Sequence, residues 1–274
     1  MDESAFSYAG DDDPWLRRTL IRALEVATGR DTIKRLYVQH RNNGWNGESF
    51  FATAVKALSL DLRYDREKLL ALPKQGPLLV VANHPFGVLD GIIMCSLLEQ
   101  VRDDFLALTN AVLLRAPEMR GRMLPIDFSE TREARRANAA SRAKALKHLT
   151  DGGCMVIFPA GAMATSPDRF GARPAEDLPW TPFVARLAQA AKGPVAPFYF
   201  HGQNSRLFQI FSHINANLRL SLFFHEVRRR IGTEFPIGIG DVVPWAEIEG
   251  IRDRVELVAE LRRRTLALAQ PRPR

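Results

Sequence analysis

The chain has 274 residues, of which 46% are hydrophobic, and a formal net charge of +7 at pH 7. This length and hydrophobic content exclude a globally disordered chain and suffice for one large α/β domain, with or without a helical appendage. The basic excess favours an anionic partner such as a bilayer surface, a phosphorylated substrate or a nucleotide-bearing donor. Nucleic acid is not expected as a partner, because the basic residues are scattered and no recognition module is evident.

The cysteines and the apolar stretches bear on where the protein works. Cys95 and Cys154 both lie in apolar stretches, which favours buried, reduced thiols and hence a cytoplasmic protein. The first 14 residues are acidic and do not resemble a secretory signal, and no window of about 20 residues is apolar enough to span a bilayer. We therefore expect peripheral association with the inner face of the membrane. No spacing typical of a metal site occurs, so no metal is expected.

The N-terminal region is predicted to be helical. Residues 11–14 read Asp-Asp-Asp-Pro, which is a carboxylate N-cap followed by proline at the first helical position. Helices are predicted over residues 14–28, 31–41 and 49–59. We expect a helical segment over residues 1–59, a candidate for membrane contact, followed by an α/β domain over residues 60–274.

The remainder of the chain alternates between strand and helix patterns. Strands are predicted over residues 60–64, 77–82, 105–109, 123–127, 154–158, 194–200, 218–224 and 235–239. Helices are predicted over residues 91–99, 131–151, 182–191 and 245–269. This alternation predicts an α/β fold with a mostly parallel central sheet flanked by helices, preceded by the N-terminal helical segment.

Residues 78–91 carry the strongest chemical signal. The apolar first half predicts a buried strand that ends at Asn83-His84, and a second apolar stretch follows Asp90. A histidine at a strand end, with a carboxylate at the start of the next helix, can place the imidazole beside an orienting carboxylate, as in a general base. Taken singly, the histidine fits a core or surface position and Asp90 fits a helix N-cap. The coincidence of strand, turn and spacing favours the catalytic interpretation.

Two further predicted strands are followed by segments whose residues are suited to binding anionic groups. The strand before Pro159 is followed by Gly161, and exposed amides at such a turn are suited to binding phosphate or stabilising an oxyanion. The strand over residues 123–127 is followed by arginines that either contact phosphate or form the solvated face of a helix. Both interpretations of these arginines remain open.

A third segment, residues 194–205, ends in Tyr-Phe-His-Gly-Gln-Asn-Ser. His201 and Asn204 would lie at the carboxyl end of a strand, where open α/β sheets bind ligands. Capping of the loop by Asn204 is the alternative interpretation.

The Asn83-His84-Pro85-Phe86-Gly87 segment resembles the lysophospholipid (glycerolipid) acyltransferase family. Its five-residue spacing between His84 and Asp90, instead of the more common four, is similar to the hemolysin-like, lyso-ornithine-lipid acyltransferase-like branch. Residues 156–161 and 194–205 resemble later motifs of the same family. This chain departs from the family in two ways. The common family form has a glutamate at the position of Ala160, and the hemolysin-like form tends to have it at the position of Ala162, but both residues are alanine here. The arginine that usually ends the strand at residue 127 is also missing.

The resemblance implies a glycerolipid-acyltransferase-like fold and transfer of a fatty acyl group from acyl-CoA or acyl-ACP to the hydroxyl of a lysolipid. These thioesters would be co-substrates, and no cofactor is expected. His84 would be the catalytic base and Asp90 its partner. The residues implied to bind substrate are Asn83, Phe86, Gly87, Arg132, Arg136, Pro159, Gly161, Thr165, His201 and Asn204.

Two points stay open at this level. The acceptor is lyso-ornithine lipid, lysophosphatidic acid or another lysolipid, and the hemolysin-like character favours a lyso-aminolipid. The alternative function is a catalytically weak lipid-binding or membrane-associated protein on the same scaffold, which the alanines at positions 160 and 162 motivate.

Overall fold

The computed structural model describes residues 29–42, 48–214, 219 and 222–269. The helix predicted over residues 14–28 lies outside the described residues. The sheet has seven strands in the order β1-β7-β6-β2-β5-β3-β4. Their bounds are β1 Asp61–Tyr64, β2 Leu78–Ala82, β3 Phe105–Asn110, β4 Met123–Ile126, β5 Cys154–Ile157, β6 Val195–Phe200 and β7 Glu234–Ile239.

The sheet is mostly parallel, as predicted. Strand β2 pairs in parallel with β5 and with β6, and β3 pairs in parallel with β5 and with β4. Strand β7 runs antiparallel to β6. All five residues of β2 are buried, which explains its unbroken Leu-Leu-Val-Val-Ala sequence: a strand covered on both faces needs apolar side chains on both. Strand β2, which is buried and paired on both sides, therefore holds its carboxyl end in a fixed position.

The described helices are α1 Arg30–Asn42, α2 Phe50–Ala57, α3 Arg66–Leu70, α4 Val88–Leu98, α5 Arg132–Thr150, α6 Phe183–Ala191, α7 Arg206–Ile214, α8 Phe223–Arg230 and α9 Arg254–Leu266. Helix α5 packs on β4 and β5, and α9 packs on β6. Leu79 and Val81 of β2 share one hydrophobic core with residues of α5, α6 and α9. No helix within the described ranges combines the length and apolar character needed to cross a membrane.

Two predictions about the C-terminal third are wrong. The strand predicted over residues 218–224 is contradicted by Leu222, which lies in a turn, and by Phe223, which begins α8. The apolar run is short, and the residues after it have the burial pattern of a helix with one buried face. Val227 is buried, whereas the arginines that follow it are not. The helix predicted over residues 245–269 is interrupted because Asp253 caps a new helix, its carboxylate accepting the N–H groups of Val255 and Glu256.

Internal packing divides the chain into two compact units. The larger unit comprises Leu62–Ala164, Asp177–His201 and Phe235–Arg274, and it contains nearly all of the sheet. The smaller unit comprises Met1–Asp61, Thr165–Glu176 and Gly202–Glu234. The sequence-based division into residues 1–59 and 60–274 stays a prediction.

A buried arginine joins three segments of the larger unit. The Arg102 guanidinium donates to both carboxylate oxygens of Asp104, at 2.7 and 2.6 Å. It also donates to the carbonyl oxygens of Pro73, Gly76 and Gly152, at 3.1, 2.7 and 3.2 Å. The paired guanidinium lowers the pKa of Asp104 below its ordinary value. Arg102 thus satisfies carbonyl groups of the loops before β2 and before β5.

Replacing Arg102 with methionine should destabilise the protein by about 3 kcal/mol, because the carbonyl groups and the Asp104 carboxylate lose their donors. Urea unfolding measures this loss. Arg263→Met is the matched control, since Arg263 forms an exposed ion pair with Glu260 and its removal should leave the urea midpoint nearly unchanged. Equal midpoints for the two variants would contradict the role of Arg102.

Candidate active site

Three neighbouring strands deliver the candidate site residues to one edge of the sheet. Strands β5, β2 and β6 are adjacent and parallel, so their carboxyl ends lie side by side. Phe158 follows β5, Asn83 and His84 follow β2, and His201 follows β6. Open α/β sheets bind their ligands at the carboxyl ends of their strands, so this edge is the candidate active site.

Asn83 fixes the point at which the chain leaves β2. Its side-chain Nδ2 donates to the carbonyl of Phe200 at 2.9 Å, and its Oδ1 accepts the N–H of Phe200 at 2.7 Å. The side chain is buried, so both of its hydrogen bonds form away from water. The residue before His84 is therefore tied to the end of β6.

The backbone and the ring of His84 are each held by other segments. Its N–H donates to Oδ1 of Asp177 at 3.0 Å, and its carbonyl accepts the N–H of Ala164 at 2.8 Å. The ring of Phe158 stacks on the imidazole, with centroids 4.3 Å apart and planes inclined by 30°. Few degrees of freedom remain for this side chain, which is still partly exposed.

Asp90 is fully buried and lies against the imidazole. It sits in the first turn of α4, where its Oδ2 accepts the N–H groups of Phe86 at 2.8 Å and Gly87 at 3.0 Å. The same oxygen lies 3.0 Å from Nδ1 of His84. The ring N–H is not aligned with that oxygen as in a straight hydrogen bond.

The turn that brings the two side chains together needs a glycine. Gly87 has a φ of 73°, a backbone conformation that residues with a Cβ atom rarely adopt. The turn starts α4 at Val88, three residues before the predicted start at residue 91, so that Asp90 is the third residue of the helix. The N-cap of α4 is therefore Gly87, and the N-cap interpretation of Asp90 is wrong. As the third helical residue, Asp90 accepts the N–H of Gly87 and also faces the histidine.

Burial dominates the electrostatics of Asp90. Removal from water raises the pKa of Asp90 above its ordinary value, while the contact with His84 and the N–H groups of Phe86 and Gly87 act in the opposite direction. An ionised Asp90 requires a proton on Nδ1 of His84, which leaves Nε2 as the nitrogen able to accept a proton. Such an arrangement is chemically able to act as an oriented general base.

Asp177 is a site residue that the sequence did not reveal. It lies in the loop before α6, where no motif singles it out, and it reaches His84 across 93 residues of sequence. Burial raises the pKa of Asp177, and the hydrogen bonds from His84 and Trp180 oppose that rise. Only the long-range packing of this loop identifies the contact.

Four predicted binding residues near His84 have structural contacts of their own. Phe86 is buried against the ring of Phe235, and its N–H, like that of Gly87, is used by Asp90. The carbonyl of Pro159 accepts the N–H of Thr181 at 2.9 Å. The N–H of Gly161 donates to the carbonyl of Phe158 at 3.0 Å, so this particular amide does not serve an oxyanion.

The remaining predicted residues lie at several places. Arg132 and Arg136 are exposed on the first turns of α5. His201 packs edge-on against Tyr199, and burial lowers the pKa of His201. Thr165 and Asn204 belong to the smaller unit. Asn204 is buried there, and the Thr165 hydroxyl lies 3.5 Å from a guanidinium nitrogen of Arg219.

Comparisons with known proteins identify the family of this chain. A family model described as Acyltransferase matches residues 15–270. A lyso-glycine lipid O-acyltransferase from Bacteroides thetaiotaomicron is 25% identical over 231 residues, covering 78% of this chain and 79% of that protein. A protein of the same name from Phocaeicola vulgatus is 22% identical over 249 residues, covering 86% of this chain and 83% of its own.

A solved structure shares the fold. The 1-acyl-sn-glycerophosphate (LPA) acyltransferase PlsC from Thermotoga maritima superposes with a TM-score of 0.50 and 16% sequence identity. The match covers 80% of this chain and 75% of that chain. This likeness concerns the fold, and it confirms the predicted acyltransferase-like α/β architecture.

Replacing Asp90 with asparagine should stabilise the protein near pH 7. Because the folded-state pKa of Asp90 is raised, the folded protein holds that proton more tightly, and stability falls as pH rises from the unfolded-state value through the folded-state value. Asparagine keeps an oxygen for Phe86 and Gly87 and carries no charge. Asp90→Asn should therefore have a higher urea midpoint than wild type at about pH 7, and a smaller decline over that interval.

Asp65→Asn is the control for this substitution. Asp65 is exposed and accepts the N–H of Lys68 as the N-cap of α3, a position that asparagine fills equally well. Its urea midpoint should stay at the wild-type value. A midpoint for Asp90→Asn below that of wild type would show that the bonds of the carboxylate outweigh the penalty of burying it.

Proposed function

The chain belongs to the acyltransferase family and is an O-acyltransferase, and we propose that it transfers a fatty acyl group from acyl-CoA or acyl-ACP to the hydroxyl of a lysolipid. One observation carries the proposal: Nδ1 of His84 lies 3.0 Å from Oδ2 of the buried Asp90, at the carboxyl edge of the central strand. Acyl transfer to an alcohol requires a base, since the hydroxyl is a weak nucleophile until its proton is removed.

The proposed chemistry uses His84 twice. Nε2 of His84 accepts the proton of the lysolipid hydroxyl while the hydroxyl oxygen attacks the thioester carbonyl. Asp90 keeps the Nδ1 proton in place and stabilises the imidazolium. The tetrahedral intermediate then collapses, the carbon–sulfur bond breaks, and the leaving thiolate takes the proton from Nε2. The products are an ester and a free thiol, and no protein nucleophile is required because the thioester is already activated.

The acceptor we propose is a lyso-aminolipid. The two relatives named above are lyso-glycine lipid O-acyltransferases, and the proposed acceptor is of the same chemical class. The end of β4 supports this choice. Asp127 stands there, and its carboxylate accepts the N–H of Ser129. An anionic residue at that point does not favour the phosphate of lysophosphatidic acid, although Arg132 and Arg136 follow on α5.

Replacing His84 with alanine should lower acyl transfer by at least about 10³-fold, because the acceptor hydroxyl loses its base. The assay offers purified protein lyso-glycine lipid, lyso-ornithine lipid and lysophosphatidic acid, each with acyl-CoA or acyl-ACP, and detects products by mass spectrometry. His40→Ala is the control, since His40 bonds to the carbonyl of Leu36 within α1. It should leave turnover within about twofold of wild type.

Two results would contradict the proposal. Undiminished turnover by folded His84→Ala protein would exclude His84 as the base. Binding of lysolipid vesicles by wild-type protein, with no turnover under any donor and acceptor combination, would favour the catalytically weak lipid-binding protein.

We also propose that the smaller unit contacts the membrane peripherally. The Phe170 surface consists of Phe170 and Leu207, which are 57% and 45% exposed, together with Arg169, Arg173 and Arg206, which are close to them in sequence. The Arg169 guanidinium lies 4.8 Å from the Phe170 ring centre, and Nε of Arg206 donates to the Phe170 carbonyl at 2.8 Å. Exposed apolar side chains beside arginines suit an anionic lipid interface.

Replacing Phe170 and Leu207 with serine should weaken binding to phosphatidylglycerol-containing vesicles by about tenfold, because two apolar side chains no longer enter the interface. Co-sedimentation measures the bound fraction. The matched control replaces Leu178 and Val255, which are 45% and 71% exposed on the larger unit, with serine. Equal vesicle binding by the two double variants would exclude the Phe170 surface as the contact.

A further inference from the structure

A second carboxylate lies beside the proposed base. Oδ1 of Asp177 accepts the main-chain N–H of His84 at 3.0 Å, and Oδ2 of Asp177 accepts Nε1–H of Trp180 at 3.0 Å. Both oxygens thus receive N–H donors, which is the pattern of an ionised carboxylate. Trp180 is buried, so its indole holds Asp177 in a single orientation.

The loop that carries Asp177 is tied to both of the strand ends that carry His84 and Phe158. The N–H of Thr181 donates to the carbonyl of Pro159 at 2.9 Å, directly after the residue whose ring stacks on the imidazole. One short segment, residues 177–181, therefore fixes the backbone of the base and the turn that supports its ring. A shift of this segment would move the imidazole.

Asp177 interacts electrostatically with groups from three other segments. His84 and the Arg262 guanidinium of α9 both interact favourably with its carboxylate. The negative charge of Asp177 also contributes to raising the pKa of Tyr199 in β6. Nε of Arg262 is buried and has no hydrogen-bond partner among the described residues, so Arg262 does not form a closed ion pair with Asp177 through that atom. Asp90 adds the other negative charge next to His84. A positive charge that forms on the imidazole would therefore meet two carboxylates.

We propose that Asp177 is a positioning residue for His84, which fixes its main chain and supplies a second negative charge that stabilises the imidazolium during acyl transfer. This role rests on the proposed function of His84. Asp90 orients the ring at Nδ1, while Asp177 acts through the backbone and through space. The two carboxylates thus divide orientation and placement between them.

The test separates the charge of Asp177 from its hydrogen bond. Asparagine at position 177 can still accept the His84 N–H, but its amide group would then face the Trp180 N–H. We therefore use Trp180→Phe as the reference protein and compare it with the double variant Asp177→Asn, Trp180→Phe. Asp177→Ala removes charge and acceptor together. Asp253→Asn is the control, since Asp253 also accepts main-chain N–H groups in the larger unit.

The first readout needs no substrate. The titration of the His84 imidazole is followed by NMR on histidine-labelled protein, with His84→Gln used to assign the resonance among the six histidines. The midpoint of the His84 titration should be about half a pH unit to one pH unit lower in the double variant than in Trp180→Phe, because the protonated ring has lost a neighbouring negative charge. Asp253→Asn should titrate at the wild-type midpoint.

The second readout is kinetic. The double variant should show a kcat about tenfold below that of Trp180→Phe with KM unchanged, and an acid limb of the pH–rate profile displaced to lower pH. Asp177→Ala should lose about 10²-fold in kcat, so that the asparagine variant amounts to a partial rescue. A purely structural role would lower stability and leave the midpoint and the profile in place.

Identical His84 midpoints in the double variant and in Trp180→Phe would overturn the proposal, whatever the enzyme assay shows. So would a kcat for folded Asp177→Ala equal to that of wild type. A His84 midpoint lower in the double variant than in Trp180→Phe, together with no acyl transfer by wild-type protein to any lysolipid, would instead count against the proposed function alone and support the placement of Asp177.

Discussion

The contact between a fully buried carboxylate and a partly exposed imidazole is the constraint on which the rest of the site depends. Asp90 has no solvent exposure, and burial raises its pKa, so the fold keeps an ionisable group where its charge is disfavoured. The N–H groups of Phe86 and Gly87 and the His84 ring offset part of that penalty. A group kept at such a cost to stability is characteristic of a functional site.

The surroundings of the pair serve to hold His84 still. Asn83 joins the ends of β2 and β6, Phe158 supports the ring, and the main chain of His84 is bonded to Asp177 and Ala164. These groups come from β2, β6, the turn after β5 and the loop before α6. Positioning by several rigid elements limits the motion of a base more effectively than positioning by one loop does.

The sequence predicts the strands of the central sheet and the His84–Asp90 pair because both depend on local patterns: apolar runs bounded by turns, and a histidine and a carboxylate at a fixed spacing. It fails at residues 222–224, where Leu222 lies in a turn and Phe223 begins a helix, because so short an apolar run does not distinguish a strand from a helix. It also gives no sign of Asp177, whose contact with His84 is created by packing across the sheet edge. The resemblance supplied the binding residues Phe86 and Gly161, whose main-chain groups the structure shows to be engaged in the turns themselves.

A structure of the protein bound to a lysolipid and a non-transferable thioether analogue of the acyl donor would test the central claim most directly. General-base catalysis by His84 predicts the acceptor hydroxyl oxygen about 2.6–3.2 Å from Nε2, with Nδ1 still against Asp90. An acceptor hydroxyl bound away from the imidazole, with no water between them, or a ring turned so that Nδ1 leaves Asp90, would contradict it.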